Sequence, residues 1–439
     1  MGKDMKRMIS VLALSLACVG LTAQNRVVLY EDGEGYAFGL FNRVSDNGKW
    51  AVGCDDYFQT GAYIVDVERP ETLNVISGGV LYDVSDDGMA VGAWYENMGT
   101  PLEPAYACRA AYYKDGEWVR LALPLETSGQ SYARCVSADG KYIGGMIFCT
   151  AKDSEIGGKH YPCVWTYNDA TEEYDLACFN QMQLPGNMGF TVNDMSNDGS
   201  LIVGSIFTDA GGMVPAMVRD GKPVFWNKME WKDWPYEIGG ETMYLPTGFV
   251  DGIAEGTTAE NWFDGAFYYI NGDCVFGHRS VASNVDVEKA TGDVTHNRCV
   301  YNVRTGQFVD EPSATAFSAG FDERHAFLVS GTTGYYLNDG AMRKINKSFD
   351  VTSPVDVAAV YGFDCTYRVF ACSIIWESEL LGGLVESPAL MLLEKPGYDG
   401  VESVLSQPFT VETYNLRGER VSGRSVKGIR IVGGRKIVG

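Results

Sequence analysis

The strongest constraint on this chain is a short unit that keeps returning: an apolar residue, Ser, any residue, Asp or Asn, Gly, then a small apolar run closing on Gly. Val44, Ser45, Asp46, Asn47, Gly48 leads into Trp50, Ala51, Val52, Gly53. Val84, Ser85, Asp86, Asp87, Gly88 leads in the same way into Ala90, Val91, Gly92. Val136, Ser137, Ala138, Asp139, Gly140 precedes Tyr142 to Gly145, and Met195, Ser196, Asn197, Asp198, Gly199 precedes Leu201 to Gly204. The four serines follow one another at intervals of 40, 52 and 59 residues. Asx before Gly is a strong hairpin signal, because Gly accepts a positive φ and the Asx side chain bonds nearby backbone. The run after each turn reads as a strand buried on both faces, and its Gly marks close packing.

Each copy is followed by a second hairpin with aromatic strands. Examples are Ala110 to Tyr113 before Asp115-Gly116, Ala216 to Val218 before Asp220-Gly221, Phe267 to Tyr269 before Asn271-Gly272, and Gly334 to Leu337 before Asp339-Gly340. Two hairpins make four strands. A repeated four-stranded sheet with no helical pattern between copies predicts an all-β chain folded as a β-propeller. Weaker copies are expected at Phe249 to Gly256, Val281 to Gly292, Phe317 to Gly331 and Val357 to Cys372. The sixth and eighth of these units lack the Ser and Asx-Gly pattern, so seven or eight blades are predicted. Arg26 to Tyr30 is expected to pair with Ala389 to Glu394, closing the ring and removing its open edges.

The Ser-x-Asp-Gly-Lys core at Ser137 to Lys141 resembles the repeat of TolB-like propellers and, more loosely, the Asp-box of sialidases. The resemblance covers the turn, and it implies fold only. The Arg-Ile-Pro segment typical of sialidases is absent, so no sialidase activity is carried over.

Three regions follow: a leader at 1–23, the propeller at 24–397 and a C-terminal β module at 398–439. Lys3, Lys6 and Arg7 precede an apolar core of 13 residues, Ile9 to Leu21, with small residues before Gln24. That is the pattern of a secretory signal peptide, with cleavage expected after Ala23 and lipoprotein processing at Cys18 as the alternative. No later segment is long and apolar enough to be a transmembrane helix. The tail runs Tyr414, Asn415, Leu416, Arg417, Gly418, Glu419, Arg420, Val421, then Lys427, Gly428, Ile429, Arg430, Ile431, Val432. It resembles the C-terminal sorting domain of type IX secretion, with Arg430 standing where an aromatic is common. The resemblance implies a Bacteroidetes-type cell, type IX machinery as a partner, and a secreted or outer-membrane-surface location.

The full chain carries a net charge of −22, and residues 24–400 alone carry −28. A ring that acidic repels phosphate, which argues against nucleic acid and anionic membrane surfaces as partners. The 11 cysteines and 4 histidines (His160, His278, His296, His325) show no metal-ligand spacing, and nothing asks for a cofactor. Export permits disulfides. The hairpin pairs Cys365 with Cys372 and Cys149 with Cys163 are candidates, while most cysteines read as free and buried.

Catalytic signatures are missing. There is no nucleophile elbow, phosphate loop or His-Glu-x-x-His, and among 57 acidic residues no glycosidase pair stands out. The least repetitive stretch holds Trp226, Trp231, Trp234 and Tyr236, with Trp262 in the next loop. Indole rings stack on sugar faces and anchor many binding surfaces, so these five residues form the candidate ligand patch, the alternative being a satellite core. The expectation is a surface or secreted binding protein for a glycan or a protein. A polysaccharide-degrading glycosidase or lyase and a purely structural surface protein are the alternatives. The enzyme reading asks for clustered Asp and Glu at one channel mouth with Arg or Tyr beside them. The binding reading asks for an aromatic platform without such a cluster.

Overall fold

The computed structural model describes residues 25–31, 35–55, 61–100, 106–123, 130–149, 159–178, 189–207, 213–224, 236–238, 241–243, 261–286, 291–313, 315–378, 381–398, 413–414, 420–421, 429–432 and 435–438. The chain divides into two compact units, Met1–Lys395 and Pro396–Gly439.

The first unit is a β-propeller, and its described strands make seven four-stranded antiparallel blades. In the first blade the strands run outward from the centre as Leu40–Val44, Trp50–Cys54, Ala62–Asp66 and Asn74–Ile76. The second blade is Gly79–Val84, Ala90–Asn97, Tyr106–Lys114 and Glu117–Arg120. The third is Ser131–Val136, Tyr142–Cys149, Lys159–Asn168 and Glu173–Cys178. The fourth is Gly189–Met195, Leu201–Phe207, Met213–Arg219 and Lys222–Val224. The fifth is Asn261–Asn271, Cys274–Asp286, Thr291–Asn302 and Gln307–Pro312. The sixth is Phe317–Asp322, His325–Ser330, Thr333–Asn338 and Ala341–Lys344, followed by a single helical turn at Ile345–Ser348. The seventh takes three strands from the end of the ring, Val357–Phe363, Val369–Ser378 and Gly383–Leu392, and its fourth from the start, Arg26–Leu29.

That last pairing is the closure expected from sequence: Arg26 to Leu29 lies antiparallel to Leu392 to Ala389. The Asn25 side chain donates to the Phe349 carbonyl at 2.7 Å and accepts from the Glu394 amide at 3.0 Å. Val28 and Tyr30 sink into a core shared with Phe41, Val65, Ala371 and Leu390, which joins the last blade to the first.

Of the seven or eight blades expected, the described strands make seven. Val281 to Gly292 is not a blade of its own. It starts in the second strand of the fifth blade and ends in the third, where Val281 faces Thr295 and Asp286 faces Thr291. The Phe267 to Gly272 hairpin, expected at a blade's outer edge, is the innermost one, because Tyr269 faces Phe276 and Asn271 faces Cys274. Periodicity misplaced it because an aromatic strand beside Asn-Gly has the same local pattern at either position. Phe249 to Gly256 lies outside the described residues.

Burial follows the layering. The second strand of the first blade is almost wholly buried, while Glu117–Arg120 and Ala341–Lys344 on outer edges are largely exposed. Apolar side chains fill the spaces between blades. Phe190, Ile202, Met217 and Phe267 lie between the fourth and fifth, and Phe321, Phe327, Phe363 and Phe370 form an aromatic contact of the sixth and seventh. The Asx-Gly turns come in two forms. Outer hairpins place both residues at positive φ, as at Asp115 (52°) and Gly116 (90°), which is the two-residue turn matching strand twist. The Ser-x-Asx-Gly turns need only the Gly positive, as at Gly48 (72°).

In the second unit Thr413–Tyr414, Arg420–Val421, Ile429–Val432 and Arg435–Val438 form a four-stranded antiparallel sheet. Elsewhere Tyr236–Ile238 and Glu241–Met243 make a small hairpin between the fourth and fifth blades. Residues 1–23, expected to be a leader, lie outside the described residues. No helix among those described is long and apolar enough to cross a membrane.

Candidate functional site: an acidic cup at the centre of the ring

Every innermost strand carries a β-bulge, where two of its residues face one on the next strand. A bulge re-aims the residue that follows it. In the first five blades that residue is Arg43, Asp83, Cys135, Asp194 or Tyr269. Four of these stand two places before the repeat serine, and all but Cys135 line a central cavity of about 590 Å³.

Arg43 is the hub. Its Nη1 donates to the carbonyls of Tyr361 at 2.5 Å and Asn42 at 3.1 Å, its Nη2 reaches the Tyr268 carbonyl at 3.4 Å, and Nη2 stands 3.4 Å from Asp194 Oδ2. One side chain therefore ties the first blade to the fourth, fifth and seventh across the middle of the ring. The Tyr269 ring lies under the guanidinium at 4.9 Å.

Asp83 and Asp194 are bonded alike. Asp83 Oδ1 accepts the Val84 amide and Oδ2 the Val136 amide of the next blade, both at 2.8 Å. Asp194 accepts the Met195 amide at 2.9 Å and the Ile270 amide of the next blade at 2.7 Å. Each carboxylate thus clasps two blades. Only 8% and 6% of their surfaces remain exposed. Burial pushes the Asp83 carboxyl up to about 7 against the pull of Arg43, with Asp194 adding to the rise. Burial raises Asp194 as well, again opposed by Arg43.

Above this level the repeat turns close on one another. Ser45, Ser85, Ser137 and Ser196 donate to Asn47, Asp87, Asp139 and Asp198 at 2.7–2.9 Å, so the Asx residue is the turn former expected from sequence. The unspecified residue between them does the stitching. The Asn47 amide donates to Asp86 Oδ1 at 2.7 Å, the Asp86 amide to the Ala138 carbonyl at 2.9 Å, and the Ala138 amide to Asn197 Oδ1 at 2.8 Å. Asn197 Nδ2 then crosses back to Asp46 Oδ2 at 2.7 Å. Burial raises the Asp46 carboxyl, with Asn197 opposing and Asp86 and Asp364 adding. The channel is therefore bridged by side chains at two levels.

The cup's lining carries Asp46, Asp83, Asp194, Asp198, Asp273 and Asp364 against the cations Arg43 and Arg219. Sequence reading did not select these residues. The available signal was a charged residue, Arg43, Asp83 or Asp194, inside an otherwise apolar inner strand.

Trp226, Trp231 and Trp234 lie outside the described residues. Only the backbones of Tyr236, opposite Met243, and Trp262, opposite Val281, are described. Because strands alternate in direction, the strand ends Val224 and Asn261 lie on the face opposite the Ser-x-Asx-Gly turns. Neither proposed cysteine pair is in register. Cys372 is buried between Val360 and Ala389, Cys365 is exposed, and Cys149 faces Lys159. No group of three His, Cys, Asp or Glu among the described residues has the arrangement to hold a metal ion.

No protein-family model matches the chain. No curated protein matches it. Among solved structures it is similar to a prolyl endopeptidase, at 13% identity and a TM-score of 0.43 over 82% of this chain, and it spans 48% of that one. It is similar to the β-propeller domain of the Trilobed protease from Pyrococcus furiosus, at 11% identity and a TM-score of 0.40, covering 80% of this chain and 98% of that one. TolB from Acinetobacter baumannii gives 12% identity and a TM-score of 0.31, over 82% and 79%.

Proposed function

We propose that this chain is an exported or cell-surface β-propeller binding protein whose acidic cup receives a positively charged segment of a protein ligand. The observation that carries the reading is the central cavity, in which six carboxylates meet two guanidinium groups. A cavity of about 590 Å³ has the size of an ordinary ligand site. Carboxylates inside low-dielectric walls focus a negative field that concentrates cations at the mouth. Arg43 and the clasping amides already hold the deepest carboxylates, so the walls are pre-organised and a ligand meets little ordering cost. In this reading the leader at 1–23 and the sorting-type tail carry the chain outward, the tail engaging type IX machinery.

The alternative of a polysaccharide-active enzyme has one observation in its favour: Asp83 and Asp194 stand with Arg43 and Tyr269 around one cavity, the cluster that reading asks for. Against it, every oxygen of those two carboxylates accepts a backbone amide, and one oxygen of each joins its blade to the next.

The test is calorimetric titration of residues 24–439 with oligo-lysine and oligo-glutamate peptides, alongside a glycan array and a reducing-sugar release assay. Binding of the basic peptides alone, weakened about tenfold by the pair Asp46→Asn and Asp273→Asn, is the expected result. Glycan binding indifferent to that pair would move the site to the Trp226 to Trp262 patch. Sugar release abolished by Asp194→Asn would establish the enzyme.

A further inference from the structure

The strand register of the third blade sets Cys163 and Cys178 directly opposite each other on its two outer strands. Residues so placed on antiparallel strands have Cα atoms about 4.5–5.5 Å apart, inside the range of about 4.4–6.8 Å that a disulfide spans. No other described cysteine has this relation. Cys54 faces Leu40 and Ala62, Cys108 faces Tyr95, and Cys135 faces Gly144. Cys149 faces Lys159, Cys274 faces Asn271 and Asn302, Cys299 faces Gly277 and Asp310, and Cys372 faces Val360 and Ala389.

We infer that Cys163 and Cys178 are joined by a disulfide that staples the outer hairpin of the third blade. The hairpin supports the pairing, because its ladder continues without a register shift from Cys163–Cys178 through Trp165–Leu176 to Asn168–Glu173. The bond therefore closes a loop whose backbone the ladder already holds in place. In the step each thiol gives up a proton, the two sulfurs bond, and the two electrons released reduce the disulfide of an oxidoreductase to a dithiol. In the cell that oxidant is supplied by the compartment into which export delivers the chain, so there the inference rests on the export reading.

The experiment separates the two. Residues 24–439 are refolded from the reduced state in a glutathione redox buffer, denatured in iodoacetamide without reductant, digested and mapped by mass spectrometry. A peptide containing Cys163 linked to one containing Cys178, lighter by two hydrogens than the sum of the separate peptides, is expected. Reduction should lower the thermal midpoint of the wild type and leave that of Cys178→Ser unchanged. Full alkylation of both cysteines, or linkage of Cys163 to Cys149 instead, overturns the inference. The same map on protein recovered from an exporting host tests the other reading. A link found in the buffer and missing from that material leaves the pairing standing and counts against export.

Discussion

Asp83 and Arg43 show how a few buried charges organise the ring. Asp83 titrates near 7 in the fold, above the ordinary carboxylate range, so its folded form holds a proton that its unfolded form has released. The stability it contributes is therefore complete below the ordinary range and is lost as pH rises through about 7. Asp194 and Asp46 are displaced in the same direction. The carboxyls held low by turn bonds, Asp139 and Asp198 among them, act only at lower pH, while burial lowers His160 and so offsets part of the trend as pH falls below the ordinary imidazole range. Thermal unfolding should accordingly show the wild type more stable at pH 5 than at pH 8, by on the order of 2 kcal/mol. Asp83→Asn should flatten that slope, and an unchanged slope would remove Asp83 as its source. Arg43→Met takes away the cation facing Asp194 and the donors to three carbonyls, leaving a charge buried without compensation. Urea denaturation should show a loss of about 3–5 kcal/mol. Of these groups the sequence displayed only charge in an apolar strand. That Arg43 meets Asp194, 151 residues away, depended on how the blades curve.

At the scale of the strand pair, the repeat's closing Gly and the bulge are two halves of one device. Gly53, Gly92, Gly145, Gly204 and Gly277 each stand opposite the residue just before a bulge. A Cβ at Gly92 would lie 1.8 Å from the Val80 carbonyl oxygen, and one at Gly204 would lie 1.7 Å from that of Thr191. The bulged backbone leans over the second strand and leaves no room there for a side chain. Gly92→Ala should cost about 3 kcal/mol by forcing those strands apart. Gly116→Ala, at φ +90° with nothing near its Cβ, should cost only about 1 kcal/mol of backbone strain. Comparable losses in denaturant midpoint for the two would refute the steric account. The glycines were legible in the sequence as marks of close packing, and the turns as hairpins. The bulge was not, because an inserted residue leaves no compositional trace, and so neither was the ring of side chains it turns inward.

For the whole molecule, closure rests on one short strand from the beginning of the propeller. Arg26–Leu29 fills the outer position of the seventh blade, and Tyr30 is 1% exposed with its hydroxyl donating to the Pro70 carbonyl at 2.6 Å. Deleting residues 24–30 removes the burial of Val28 and Tyr30, a loss of about 4 kcal/mol, and uncovers a strand edge. Size-exclusion chromatography with light scattering should find this variant self-associating as concentration rises while the full ring stays at one mass. An unchanged mass and midpoint would show that the strand is dispensable. The sequence by itself determined the all-β class, the hairpin repeat, the pairing of the two ends and the acidic balance, because turn chemistry and strand alternation are local or additive properties. Tertiary structure alone decided between seven and eight blades, the described strands making seven, and decided that the Phe267 hairpin is innermost, that Cys163 faces Cys178 in register, and that Arg43, Asp83 and Asp194 converge on one cup. Those facts depend on register and ring curvature, which bring together residues whose separation along the chain says nothing of their distance in space.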